Sequence, residues 1–472
     1  MTDLILKGGT VVHESGREIA DIAITGETIS AICAPGLLDK ANQIIDVSGQ
    51  FIIPGAIDVH VHFREPGYTH KEDWATGTQA AAMGGVTTVF EMPNTNPPTR
   101  TVEDLRHKHA CAEKACVDYG IYGLLAEDNI NEIPALIQAG ANAFKCFMGN
   151  TFGNLPSPST GAMLEGFEII AASGLRISLH AETASIMAWR QQKLEAAGLN
   201  SPRHHIAARP EIVAIEAVTR AAVLAKWTGA RIHILHISSA GELRPLAEAK
   251  ARGVDITGET CPCYLFLNTI DYDRIGSVIR VNPPVREEKD AKAIWHALKD
   301  GTVDMISTDH APHTPEEKLN DVIWQADCGF PGIETQMPLM LTEVAAGRMS
   351  LEHYVRISSA NPARSFGLWP MKGRIAVGAH ADIAVIDSER KETVAASRLH
   401  SRGKITPFEG RETIGAPVHT LVRGRFIQRD RQLCEGVKGH GQAVTSIQSM
   451  PTPIVHNEEQ SLASILGNGT VR

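Results

Sequence analysis

The chain has 472 residues, 43% of them hydrophobic and 21% charged, the balance of a globular protein with more than one structural unit. Lys and Arg total 45 against 54 Asp and Glu, for a net charge of -9, and no basic block stands out, which excludes nucleic acid as an expected partner. No apolar run approaches membrane-spanning length and no basic segment leads into an apolar core at the N-terminus, so a membrane partner is not expected and the protein is placed in the cytoplasm.

Residues 2–53 hold short stretches of strand character at 4–6, 9–12, 21–24 and 29–32, spaced by Gly, Asp and Glu turns, the pattern of an antiparallel sheet. The same texture returns at 381–387 and 419–427, so the two chain ends are expected to build one small β-sandwich. Between them, strands are predicted near 56–63, 86–92, 118–124, 142–147, 175–180, 231–237, 254–259 and 304–308, with helical stretches such as 76–83 and 211–227 in the gaps. This α/β alternation predicts a (β/α)8 TIM-type barrel. The expected domains are 1–54 and 371–430 for the composite sandwich, 55–370 for the barrel, and a polar C-terminal tail, 431–472, packed on a neighbour or left loose. The eight cysteines show no paired framework and suit reduced thiols. For Cys261 and Cys263 an ordinary barrel role is favoured over a second metal site.

In such a barrel the chemistry sits at the C-terminal ends of the strands. His60 and His62 end the first strand, and as alternate residues they share a face and can hold one metal ion between them. Lys145 lies in the fourth strand, His180 ends the fifth, His236 the sixth and Asp309 the eighth. A single strand-end histidine is more often a hydrogen-bonded structural residue than a ligand, and Asp309 alone could cap a helix. Lys145 is harder to dismiss, because an unpaired buried ammonium is costly. Their joint placement at one mouth carries the argument. Imidazole and carboxylate donors point to a borderline divalent metal, Zn2+. A protonated Lys145 cannot be a ligand. Carbamylated by CO2, it could bridge two ions, with His60, His62 and Asp309 on one and His180 and His236 on the other.

The stretch from Pro54 to His62, the Lys145 strand, the His180-Ala-Glu182 and His236-Ile-Ser-Ser239 segments and the Thr308-Asp-His310 turn together resemble the amidohydrolase superfamily, over about residues 2–430 and including Gly378 to Ile383. That resemblance implies a metal-dependent hydrolase on a (β/α)8 barrel with a composite β-sandwich, and within the superfamily a cyclic amidase. The segments at Arg64 to Gly67, Lys71 to Asp73, Met92 to Thr95 and Asp309 to Lys318 resemble dihydroorotase in particular. The family's pattern then implies that Arg64, Asn94 and His313 hold a substrate carboxylate, with Arg providing a planar fork. Asn94 can equally be read as a turn residue. Asn282, in the segment to Arg286, resembles a substrate-facing loop, as do residues 329–334.

The resemblance thus implies pyrimidine biosynthesis: reversible closure of N-carbamoyl-L-aspartate to dihydroorotate, with Asp309 as the catalytic acid–base group. One segment departs from that pattern. Residues 259–265, Glu-Thr-Cys-Pro-Cys-Tyr-Leu, are closer to hydantoinases and allantoinases, so an allantoinase, hydantoinase or dihydropyrimidinase is the alternative, and a non-catalytic scaffold the less favoured one. Residues 150–161, rich in Gly, Pro and Ser, could be a lid over the pocket or a rigid loop. A homo-oligomer, dimer or tetramer, is expected by analogy.

Overall fold

The computed structural model describes residues 2–153 and 155–446. Eight parallel strands run in chain order around a barrel: Ala56–Val61, Val86–Glu91, Asp118–Leu125, Ala143–Phe147, Arg176–His180, Arg231–Ile234, Ile256–Thr260 and Met305–Ile306. Nearly every residue in them is buried, as parallel strands covered on both faces require. The eighth strand meets the first through a bridge between Val61 and His310, where the His62 N–H donates to the His310 carbonyl at 2.7 Å. Asp58 reinforces this seam by accepting from the backbone N–H groups of His60 and Thr308 at 3.1 and 3.2 Å. The N-terminal end of the barrel is plugged. Phe366 and Leu368 cluster with Val59, Phe90 and Tyr122, and Arg176, opening the fifth strand, donates to the Ser365 carbonyl at 2.9 Å.

Local signals explain the helices that brace the site. Trp74–Met83 begins two residues before the predicted start because Asp73 caps it, accepting from the Thr76 N–H at 2.9 Å. Gly77 in that helix has no Cβ, and one would sit 2.3 Å from the Phe63 ring, so glycine lets the residue after His62 pack flush on the helix. Ile212–Thr228 ends where Gly229 turns left-handed.

The second unit is a β-sandwich domain built from both chain ends. Its hydrogen bonds form a single nine-stranded sheet in which Phe51–Pro54 lies between Leu4–His13 and Ile383–Thr393. Leu4–His13 joins the two stretches predicted at 4–6 and 9–12 into one strand with a bulge between Leu6 and Gly9. The stretch predicted at 419–427 is a hairpin, because Arg423 and Gly424 both take left-handed backbone between Glu412–Val422 and Arg425–Arg429. Leu6, Ile22, Ile24, Val385 and Leu421 fill its own core.

The segment expected as a tail from 431 does not start loose. Gln432–Leu433 pairs in the sheet, and the chain then returns to the barrel, where Tyr119 donates to the Gln442 carbonyl at 2.9 Å and accepts from the Val444 N–H at 2.8 Å. The remaining residues of that stretch, 447–472, lie outside the described ones. No helix among the described residues is long and apolar enough to cross a membrane, and all eight cysteines are free thiols.

Candidate active site

Strand ends bring the predicted histidines together. The His60 ring lies 5.3 Å from that of His62 and 5.4 Å from that of His236, and His180 and His236 are 4.7 Å apart, centroid to centroid. The Nε2 atoms of His60 and His62 each lie 3.2 Å from Asp309 Oδ1. These three donors fall within 4.8 Å of one another, a set that fits a metal ion. His180 Nδ1 and His236 Nε2 face each other at 2.8 Å, a second pair of convergent nitrogens.

The opposite ring nitrogens are anchored. His60 Nδ1 meets Glu259 Oε1 at 2.6 Å and His62 Nδ1 meets Asn94 Oδ1 at 2.7 Å, while His180 Nε2 lies 2.9 Å from Glu182 Oε2. An imidazole that gives one N–H to a fixed acceptor keeps the other nitrogen's lone pair free for a metal. Burial favours the neutral ring in all four, and His62 and His236 lie well below the ordinary histidine range. Lys145 is also buried. Desolvation holds its amine down at about 8 although Asp309 and Glu259 pull the other way, so a neutral amine is accessible near neutral pH. Burial raises the Asp309 carboxyl, opposed by His60 and Lys145.

Backbone strain concentrates here. Arg64, His236 and Asp309 all carry positive φ, at 63°, 41° and 48°, a region costly for residues with a Cβ and tolerated where the surroundings enforce it.

The expected carboxylate pocket is arranged differently. Arg64 is buried, with Nε donating to the Pro312 carbonyl at 3.1 Å and a terminal nitrogen 3.0 Å from His313 Nε2. His313 stands behind it with both ring nitrogens engaged, Nδ1 lying 3.0 Å from Lys71 Nζ and from Asp327 Oδ2, and Nε2 3.0 Å from the Cys328 carbonyl. Asn94 uses its oxygen on His62 and its amide on the Phe152 carbonyl at 3.3 Å. The three are neighbours, but only Arg64 and Asn94 line the cavity beside the candidate metal ligands His62 and Asp309; His313 does not. Asn282 does line it, and its Oδ1 lies 2.9 Å from His205 Nε2.

Phe152, from the loop after Lys145, forms one wall of this space. Its ring lies 4.4 Å from both the Arg64 guanidinium and the Lys71 ammonium, in cation–π contact. The cavity is about 20 Å³, room for about one water.

Sequence reasoning missed the roles of Glu259, Glu182 and Asp58. Glu259 is buried and bridges His60 to His233, whose Nε2 lies 3.0 Å from Oε2. Glu182 is held down at about 2 by Arg209 and His180 against the opposing effect of burial. Burial lifts Asp58 to about 7, opposed chiefly by Thr308. The available signal was a carboxylate at an otherwise apolar strand end, which is costly unless partnered. Two other groupings with metal-ligand chemistry already hold a lysine: Lys372 Nζ lies 2.6 Å from both Asp118 and Asp382, and Lys71 Nζ 2.7 Å from Asp327.

Comparison with known proteins adds a lineage. Residues 51–427 match the model of the amidohydrolase family. The chain is 36% identical over 453 residues to an L-hydantoinase of Paenarthrobacter aurescens, covering 94% of this chain and 98% of that protein. It is also 36% identical over 441 residues to an allantoinase of Rubrobacter xylanophilus, covering 93% and 96%. A solved L-hydantoinase (dihydropyrimidinase) from Arthrobacter aurescens superposes with a TM-score of 0.92 at 35% identity, covering 94% of this chain and 100% of that one.

Proposed function

The chain belongs to the amidohydrolase family and is a metal-dependent hydrolase, and from that premise we propose that it opens cyclic ureides of the hydantoin and allantoin type by hydrolysing one ring amide bond. The observation that carries this reading is the internal engagement of Asn94 and His313. The dihydroorotase expectation asks all three to face a substrate carboxylate, yet His313 lies off the cavity with both nitrogens engaged and Asn94 orients His62. The names carried by the similar proteins, hydantoinase and allantoinase, support the cyclic amidase alternative over dihydroorotase, as does the segment at Glu259 to Leu265.

In this reading zinc would be the metal, and His60, His62, His180, His236, Asp309 and a carbamylated Lys145 would hold it. Bound there, the metal polarises the amide carbonyl and makes water a competent nucleophile near neutral pH. Asp309 accepts the proton of the attacking water and delivers it to the leaving ring nitrogen, so the amide becomes a carboxylate and a ureido group. Glu259 and Asn94 hold His60 and His62 in register throughout. A five- or six-membered ring exceeds the present cavity, so Phe152 must swing away to admit substrate and return to exclude water.

The test is turnover by zinc-loaded protein on allantoin, 5-substituted hydantoins, dihydrouracil, dihydroorotate and N-carbamoyl-aspartate side by side. Turnover of allantoin or hydantoins without the last two is the expected result. Turnover confined to dihydroorotate and N-carbamoyl-aspartate would restore the carboxylate role of Arg64. For Lys145, intact mass of the native protein should show one added CO2 unit, and a bare amine in the fully active enzyme would remove it from the set of ligands.

A further inference from the structure

Outside Phe152 lies a second, larger chamber of about 450 Å³, and Thr151, Phe152, Asn282 and Cys328 line both it and the inner cavity. The chamber is therefore where a substituent on a ring held at the metal ligands would emerge.

Its wall carries basic charge that the protein leaves uncompensated. Arg209 is neutralised by Glu182, and its other terminal nitrogen donates to the Asn150 carbonyl at 2.8 Å. Arg280 is not so matched. Its side chain lines the chamber and is 9% exposed. One terminal nitrogen donates to the Ala326 carbonyl, Nε is buried without a hydrogen-bond partner, and no carboxylate lies within ion-pair range of it among the described residues. Behind it, Lys318 is fully buried and bonds only carbonyls, those of Arg280 and Asp327.

Of the acids facing the chamber, Asp327 is paired with Lys71 and His313, while Glu195 accepts from the neutral Gln191 amide at 2.8 Å and is exposed, where water screens its charge. A buried guanidinium with no carboxylate in ion-pair range creates a positive potential that water screens poorly, and a planar fork is matched best by a carboxylate.

We propose that this chamber is the subsite for the exocyclic arm of the substrate and that Arg280 selects an arm ending in a carboxylate. The inference rests on the ring-opening reading above and narrows its substrate class to cyclic ureides with an acidic side chain. It also relocates substrate-charge recognition, from the Arg64 group suggested by sequence to a residue about two hundred positions further along the chain.

The experiment compares kcat/KM for 5-(carboxymethyl)hydantoin and its neutral isostere 5-(carbamoylmethyl)hydantoin, with unsubstituted hydantoin alongside. The wild-type enzyme should prefer the carboxylate arm by about tenfold or more. Arg280→Met should bring that ratio to about one, and Arg280→Lys should retain part of it. A ratio is insensitive to partial loss of folded protein, since both substrates meet the same enzyme. Equal rates on the two arms in the wild type, or an undiminished ratio in Arg280→Met, would overturn the inference while leaving ring opening intact. No turnover of these hydantoins or of allantoin would overturn the ring-opening reading and this inference with it.

Discussion

At the floor of the barrel mouth, His60 and His62 each give one ring nitrogen to a carboxylate or amide oxygen, His180 sets one 2.9 Å from the Glu182 carboxylate, and all three turn the other towards a common space. Along the adjoining wall, Asn94 and His313 instead direct their polar atoms at the protein itself, and Arg64 commits Nε and one terminal nitrogen to Pro312 and His313. Both groups are buried and both look like ligand-binding clusters in the sequence. The difference is availability. A donor is free for a ligand only when the rest of its valence is satisfied elsewhere and its remaining lone pair faces open space.

The largest break in this comparison should come from the floor itself. Stripping the metal with a chelator should abolish turnover while leaving the barrel folded by circular dichroism, and added zinc should restore it; activity that survives complete metal removal would contradict the metal role of the four histidines. Asp309→Asn should lower kcat by about a thousandfold or more at unchanged metal content, because it removes proton transfer without removing a polar side chain. Near-normal turnover by that variant would exclude Asp309 as the proton carrier.

Glu259→Gln tests the anchoring of the floor. It should cost about ten- to a hundredfold in metal affinity or activity, the usual effect of loosening a ligand's outer partner, and a titration of zinc against activity would separate the two. The wall should respond more weakly. Arg64→Met is expected to raise KM for hydantoin or allantoin by less than about tenfold with little change in kcat, since it loosens Phe152 and leaves the metal ligands in place. A much larger loss, seen only with substrates carrying a ring carboxylate, would return Arg64 to the role suggested by its motif. As a remote reference, Ile22→Ala in the sandwich core should destabilise that domain by about 2–5 kcal/mol with kcat unaltered, read by denaturant unfolding alongside kinetics.

Much of the fold was legible because its signals are local. Each barrel strand is a short apolar run bounded by turn residues, and the histidines and Asp309 close such runs, so strand, end and mouth could be placed together. The bulge in Leu4–His13 was not legible as such, since two glycines beside a register shift look like a turn between separate strands. For the tail from 431, polar composition left packing and looseness both open; Gln442 and Val444 bond the third barrel strand through their backbones, which composition does not encode.

By itself the sequence determined the α/β barrel, the composite sandwich and the identity of the residues that meet at the strand ends, because periodicity and strand termini are properties of neighbouring residues. Tertiary structure alone decided what those residues are free to do. Glu259 reaches His60 across 199 positions and Arg64 meets His313 across 249, and such contacts fix which nitrogens remain open to a ligand. The wall that Phe152 forms in the inner cavity and the unmatched charge of Arg280 belong to the same class, since each depends on which distant groups come within hydrogen-bond or ion-pair reach once the barrel is closed.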